Sequence, residues 1–205
     1  MKHTSVILTA ACLAGVFCAQ VQASTILSFQ PSPVLAMPGD TGDAFNVVLT
    51  NTGPGTISVA AFSFEVTVAD ASITFTGADF STTPGYIFAG DSFDQINGFA
   101  LNALITNPQV LDATDGTNDF TGVTLNPGNA FSLGRVLFNV SPTAAFGPIG
   151  LSFTGGSVVN ALSDPSGLPI NIDTLSDTDI NIVPEPSSLL LMVAGLAFLA
   201  RRAAK

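Results

Sequence analysis

The chain has 205 residues and a formal charge of −10, with 15 Asp and Glu against five Lys and Arg, one His, two Cys, no Trp and one Tyr. Lys2, His3, Cys12 and Cys18 lie in the first 23 residues and Arg201, Arg202 and Lys205 in the last five, so 24–182 carries Arg135 as its only cation, 14 carboxylates and a formal charge of −13. That stretch has no thiol or imidazole for a Ser-His-Asp or Cys-His centre or for a zinc site built on nitrogen or sulfur, and no basic cluster to hold phosphates, which excludes nucleic acid as a partner.

Met1 to Ala23 opens with Lys2 and His3, continues with an apolar run from Val6 to Ala19 and ends in Val21-Gln22-Ala23. A basic start, an apolar middle and a small-x-small end predict a secretory signal peptide cleaved between Ala23 and Ser24. Phe17 before Cys18 and Thr9 three residues before Cys12 do not suit lipid attachment. An uncleaved signal anchor is the alternative.

From Ser24 to Ile182 there are 159 residues, enough for one domain with a real core. Strands are predicted at Thr25–Phe29 and Val34–Met37, the second stopped by Pro38-Gly39-Asp40. Phe45, Val47 and Leu49 alternate with polar or smaller neighbours until Asn51-Thr52-Gly53-Pro54-Gly55. The clearest alternation follows within Ile57–Val68: Phe62, Phe64, Val66 and Val68 take one face, and Ala61, Ser63, Glu65 and Thr67 the other. Ile73 and Phe75 continue it. Residues 82–119 are poorer in pattern, with short apolar pieces such as Phe99–Ile105 between Gly, Asp and Asn. Phe131 and Leu133 set one parity and Val136, Phe138 and Val140 the other, which predicts a β-bulge at Gly134 and Arg135. Ile149–Phe153, Ser157–Asn160 and Thr178–Ile182 close the domain. About nine strands with turns at this spacing predict an all-β, antiparallel sandwich of jelly-roll or immunoglobulin-like type, flanked by a signal helix and a short C-terminal hydrophobic helix.

The last 23 residues form three blocks. Val183-Pro184-Glu185-Pro186 is held extended by its two prolines. An apolar block, Leu189-Leu190-Leu191-Met192-Val193-Ala194-Gly195-Leu196-Ala197-Phe198-Leu199-Ala200, precedes the basic stop made by Arg201, Arg202 and Lys205. As a helix the apolar block spans about 18–21 Å, short of the roughly 30 Å hydrocarbon core, and the basic end stays cytoplasmic. The three blocks in this order resemble the PEP-CTERM sorting signal of Gram-negative bacteria. The resemblance implies recognition by an exosortase-type membrane enzyme, cleavage near the motif, transient residence in the inner membrane, and delivery to the cell surface or extracellular matrix. A plain C-terminal anchor is the alternative.

The domain carries a second resemblance. Val34-Leu35-Ala36-Met37-Pro38-Gly39-Asp40 leads into an alternating strand, then come the Ile57–Val68 strand and, much later, Leu133-Gly134-Arg135-Val136-Leu137-Phe138-Asn139-Val140 before Leu151-Ser152-Phe153. This order is similar to the cohesin-type sandwich, related to that of some carbohydrate-binding modules. Tyr86 to Phe120 departs from the pattern, so no face that a cohesin uses for its dockerin carries over residue by residue.

Several residues offer chemistry. Asp112, Asp115, Asn118 and Asp119 supply four oxygen-bearing side chains in what reads as one acidic loop, which is either a calcium site or a solvated loop. It is no EF-hand, because Leu111, Ala113 and Gly122 stand where ligands belong. Asp91 and Asp94 form a looser pair, and Asp173, Asp177 and Asp179 read as solvated linker acids. Tyr86 is either a sugar-stacking ring or an ordinary loop aromatic, and Arg135 either a surface ion pair or a grip on an acidic ligand. One Thr-x-Thr pair, Thr74 and Thr76, is too little for an ice-binding rank. Glu65 is the domain's only Glu and no aromatic-rich cleft is visible, which argues against glycoside hydrolysis. The sequence therefore predicts an exported, non-catalytic envelope or exopolysaccharide-matrix module that binds a glycan or a protein, with calcium as a possible bridge. A receptor for one specific protein is the competing expectation.

Overall fold

The computed structural model describes residues 24–154 and 159–185. In chain order its elements are β1 (Thr25–Gln30), β2 (Val34–Ala36), β3 (Thr41–Asn51), β4 (Ile57–Val59), β5 (Ala61–Val68), β6 (Ile73–Asp79), α1 (Phe93–Ile96), β7 (Asn102–Asn107), β8 (Val110–Gly116), β9 (Val123–Leu125), β10 (Ala130–Val140), β11 (Gly147–Phe153), β12 (Ala161–Ser163), β13 (Pro169–Ile170), β14 (Thr174–Leu175) and β15 (Thr178–Ile182). Alternation decides which side of each strand is dry. In β5, Phe62, Phe64, Val66 and Val68 are buried, while Ala61, Ser63, Glu65 and Thr67 stay partly exposed.

One sheet has the order β14-β1-β3-β10-β6. The other runs β13-β12-β5-β11-β15-β2, with β8 on the opposite side of β5 and β7 on the far side of β8. The pairings are antiparallel except β1 with β14 and β2 with β15, which are parallel. The inner faces meet through phenylalanine. Phe29 of one sheet stacks on Phe153 of the other at 4.3 Å between ring centroids, and Phe45 packs edge-on against Phe29 at 5.5 Å. The predicted all-β sandwich is the observed architecture.

The bulge falls one residue earlier than the parity change suggested. Ser132 pairs with Val48 and Gly134 with Val47, so Leu133 is the extra residue, and both Leu133 and Val136 point into the core. The predicted strand Ile57–Val68 is two strands. At Ala60 the chain leaves the ribbon that β4 forms with β9, and the Ala60 backbone bonds instead to Ser163 and Thr117. The pattern-poor middle is not loop: β7 and β8 extend the second sheet by two strands. The strand predicted at Ser157–Asn160 lies partly outside the described residues, and Asn160 sits in a turn before β12. Its amide mends the sheet there, accepting from the Glu65 N–H at 3.0 Å and donating to the Thr154 carbonyl at 2.7 Å. The signal segment 1–23, Pro186, the apolar block 189–200 and the basic stop lie outside the described residues. Among the described residues no helix is long and apolar enough to cross a membrane.

Candidate functional site

The outer face of the second sheet has its centre where β5, β8 and β7 lie side by side. Register fixes the rows that cross it. Ser63 stands opposite Thr114 and Thr114 opposite Asn102; Glu65 stands opposite Asp112 and Asp112 opposite Leu104. Thr67 continues to Ser152 on β11. Hydroxyls, two acids, the Asn102 amide, Val110 and one exposed leucine make up this face, and a shallow groove of about 450 Å³ runs along it between Ser63, Asp112, Thr114 and Leu104.

Glu65 and Asp112 are hydrogen-bonded to each other, and Asp112 is pushed up to about 6, first by its partial burial and then by the Glu65 carboxylate. At neutral pH this is an acid pair whose second charge is held at a cost. Carboxyls in direct contact leave no room for a glycosidic bond, which needs them about 5–10 Å apart.

The four candidate calcium ligands do not come together. Asp112 and Asp115 are on strand β8, not in a loop, and their side chains leave opposite faces of the sheet. Asp115 is buried. Its carboxylate accepts from the Tyr86 hydroxyl at 2.5 Å, the Ser92 hydroxyl at 2.5 Å, the Gly116 N–H at 2.7 Å and the Asp94 N–H at 3.3 Å. Those four donors satisfy it without a cation. Asn118 and Asp119 follow the strand; Asn118 N–H donates to the Asp91 carbonyl, and Asp119 shares a carboxyl–carboxylate hydrogen bond with Asp91. Desolvation and then the neighbouring Asp119 raise Asp91 above the usual carboxylate range, while the Thr121 N–H and hydroxyl hold Asp119 below it. Among the described residues no three His, Cys, Asp or Glu side chains are grouped to hold a metal.

Tyr86 is no sugar platform. It is 6% exposed, wedged against Phe80 at 4.9 Å, Phe88 and Phe62, and burial raises its hydroxyl further above the usual phenol range. Asp94 does not pair with Asp91; its carboxylate caps the Asn102 N–H at 2.8 Å. Arg135 is held by Asp79 in a bidentate pair at 3.1 and 2.7 Å, both side chains about one-third exposed. The late acids are only in part linker: Asp173 accepts from the Thr25 N–H and Asp177 from the Phe153 N–H, while Asp179 is exposed on β15. The Glu65–Asp112 pair is invisible in the sequence, where Asp112 to Asp119 reads as an acidic loop; with Val110–Gly116 a strand beside β5, the pairing follows.

At the other end of this sheet Val183 donates its N–H to the Ala36 carbonyl at 2.9 Å. Pro184 has no N–H to extend that pairing, so Val183, Pro184 and Glu185 form the described start of the sorting segment.

Residues 183–205 match the model of the PEP-CTERM protein-sorting motif. No curated protein shows a significant match to the sequence. Among solved structures, a cohesin from Clostridium acetobutylicum superposes with a TM-score of 0.57 at 15% identity, covering 79% of this chain and 92% of that one. The sixth cohesin of scaffoldin B from Acetivibrio cellulolyticus, solved in complex with a dockerin, gives 0.53 at 14% identity over 79% and 98%. A non-cellulosomal cohesin from the archaeon Archaeoglobus fulgidus gives 0.53 at 12% identity over 82% and 95%. The fold is a cohesin-like β-sandwich. The chain carries a PEP-CTERM tail behind it, which implies export, membrane-anchored sorting and exosortase processing.

Proposed function

We propose that the chain is a non-catalytic binding module of the cell envelope or extracellular matrix, and that the outer face of β11, β5, β8 and β7 holds a protein partner. In this reading the leader is removed before Ser24, the sandwich folds outside the inner membrane, and the tail is cut near Val183–Pro186. The observation that carries the proposal is the face itself: a shallowly grooved surface of small hydroxyls and one amide around an acid pair and one exposed leucine, on a fold whose solved relatives include cohesins bound to dockerins. Glycan binding has less support, because the rows crossing this face present no aromatic ring on which a sugar could stack.

The test places a photo-crosslinking amino acid at Thr67 or Ser152 on this face, and at Gln30 on the opposite sheet, in the producing cells. One protein, identified by its peptides, linked from Thr67 and Ser152 but not from Gln30 is the expected result. Linkage to polysaccharide alone, or equally from both sheets, overturns the proposal.

A further inference from the structure

Strand β7 is an edge with one defence only, the Asp94 carboxylate that caps the Asn102 N–H at its start; the rest of the strand is left open. It is six residues long and hydrogen-bonded to β8 on one side; among the described residues no second strand pairs with it. Natural edges are shortened, charged, bent or given proline, because an open row of N–H and C=O groups recruits any passing strand. The other edges of this molecule obey that rule. β13 and β14 have two residues each, β13 begins with Pro169, and β2 has three. β6 ends at Asp79, which is tied to Arg135. By contrast, Asn102-Ala103-Leu104-Ile105-Thr106-Asn107 contains no charge and no proline, and Leu104 is 62% exposed.

Two further features single out what such an edge accepts. Leu104, Asp112 and Glu65 lie in one row across three strands, so an added strand meets the leucine first and the acid pair behind it. The acid pair has no cation of its own: among the described residues the single Arg or Lys is Arg135, and it is engaged with Asp79. Strands are spaced about 4.8 Å apart, so a residue on the added strand stands about 10 Å from the main chain of Asp112. A lysine or arginine side chain laid over Leu104, met by the Asp112 carboxylate, spans that gap, with its aliphatic stem on the leucine.

We propose that β7 takes up an extended, basic segment of the partner protein as an additional strand, with a lysine or arginine opposite Leu104 reaching the Glu65–Asp112 pair. The proposal rests on the protein-binding reading above and specifies how the partner is held. Main-chain pairing supplies attachment, and the cation at one position supplies selectivity. A second copy of this chain is disfavoured as the occupant. Its own β7 offers no cation, and the formal charge of −13 carried by residues 24–182 adds repulsion.

The test uses the full chain in detergent micelles and two dye-labelled nine-residue peptides of alternating threonine and valine, one with arginine and one with glutamate at the centre. Fluorescence anisotropy at low salt is expected to favour the arginine peptide on the order of tenfold, a gap that closes as salt is raised. In the Glu65→Gln, Asp112→Asn double variant the two peptides bind within about twofold of each other. Leu104→Lys, which blunts the edge and adds a like charge, releases the arginine peptide, and circular dichroism verifies that both variants stay folded. Equal binding of the two peptides, binding of neither, a preference that survives in the double variant, or a dimer of the chain abolished by Leu104→Lys would each overturn the proposal. If the peptides fail while Thr67 and Ser152 still cross-link one protein, the strand addition falls and the binding face stands. If the cross-links fail as well, both fall.

Discussion

Asp115 looked in the sequence like a metal ligand and turns out to be a fastening. Its carboxylate gathers Tyr86, Ser92 and the start of α1 onto β8, and so joins the Gly85 and Ile87 backbone bonds to Ser132 in holding the excursion between β6 and β7 against the sandwich. Asp115→Asn puts an amide N–H₂ among four donors, and we expect a loss of about 2–4 kcal/mol in urea denaturation, because buried polar groups lose their partners. Tyr86→Phe removes one donor and keeps the ring packing, so about 1 kcal/mol is expected in the same assay. Asp112 behaves in the opposite sense. Burial and Glu65 raise its folded value to about 6, so the folded state binds its proton more tightly than the unfolded chain does. The groups that face it across the sheet are Glu65 on β5 and the uncharged Leu104 on β7. Stability from this residue is therefore complete below about 4 and is lost as pH rises through about 6. Asp112→Asn should raise the melting temperature at pH 7.5 and leave it little changed at pH 4.5, a contrast that scanning calorimetry reads directly.

Among the elements, those with strict alternation were legible. The bounds of β1, β10, β11 and β15 agree with the sequence within two residues, the alternation in β5 is right although it runs on into β4, and even the bulge in β10 shows as a parity change at Leu133 and Val136. β8 was not legible, since Asp112 and Asp115 made it resemble a cation loop. Its dry face is only Leu111, Ala113 and the satisfied Asp115, and a carboxylate buried by hydrogen bonds gives no hydrophobic signal. The candidate face was unreadable for the same reason, because Glu65 meets Asp112 only through a pairing 47 residues apart. The β4–β9 ribbon rests on another contact invisible in the sequence. Gly122 has φ +74°, and a Cβ there would stand 2.8 Å from the Ser58 hydroxyl and 2.9 Å from the Pro165 ring. Gly122→Ala should cost about 1–3 kcal/mol through backbone strain and overlap together, measurable by urea denaturation.

For the molecule as a whole, acidity is the dominant property. Asp43, Asp91 and Asp94 join Asp112 in having raised values, in each case first through desolvation and then through a neighbouring acid, Asp40, Asp119 and Asp115 respectively. Asp70, Asp119 and Asp173 are lowered by backbone N–H groups of Ser72, Thr121 and Thr25. The raised group gains stability as pH falls toward about 4, and the lowered group gives up its share below that. Thermal melts of the full chain in detergent should therefore peak at about pH 4, with lower melting temperatures at both about 7.5 and about 2.5. A maximum at neutral pH would contradict this assignment.

The last strand leads directly into the sorting segment, and its position has a mechanical consequence. β15 lies between β11 and β2, antiparallel to one and parallel to the other, and Val183 adds a final bond to Ala36. While the tail is anchored and the sandwich is gripped by a partner, tension enters along the axis of this strand. Its hydrogen bonds on both flanks then share the load in shear and do not peel open one after another. In the proposed reading, the attachment point is thus the part of the sheet suited to bear force, and until the tail is cut, drag on a bound partner would pass along β15 without first unravelling the domain.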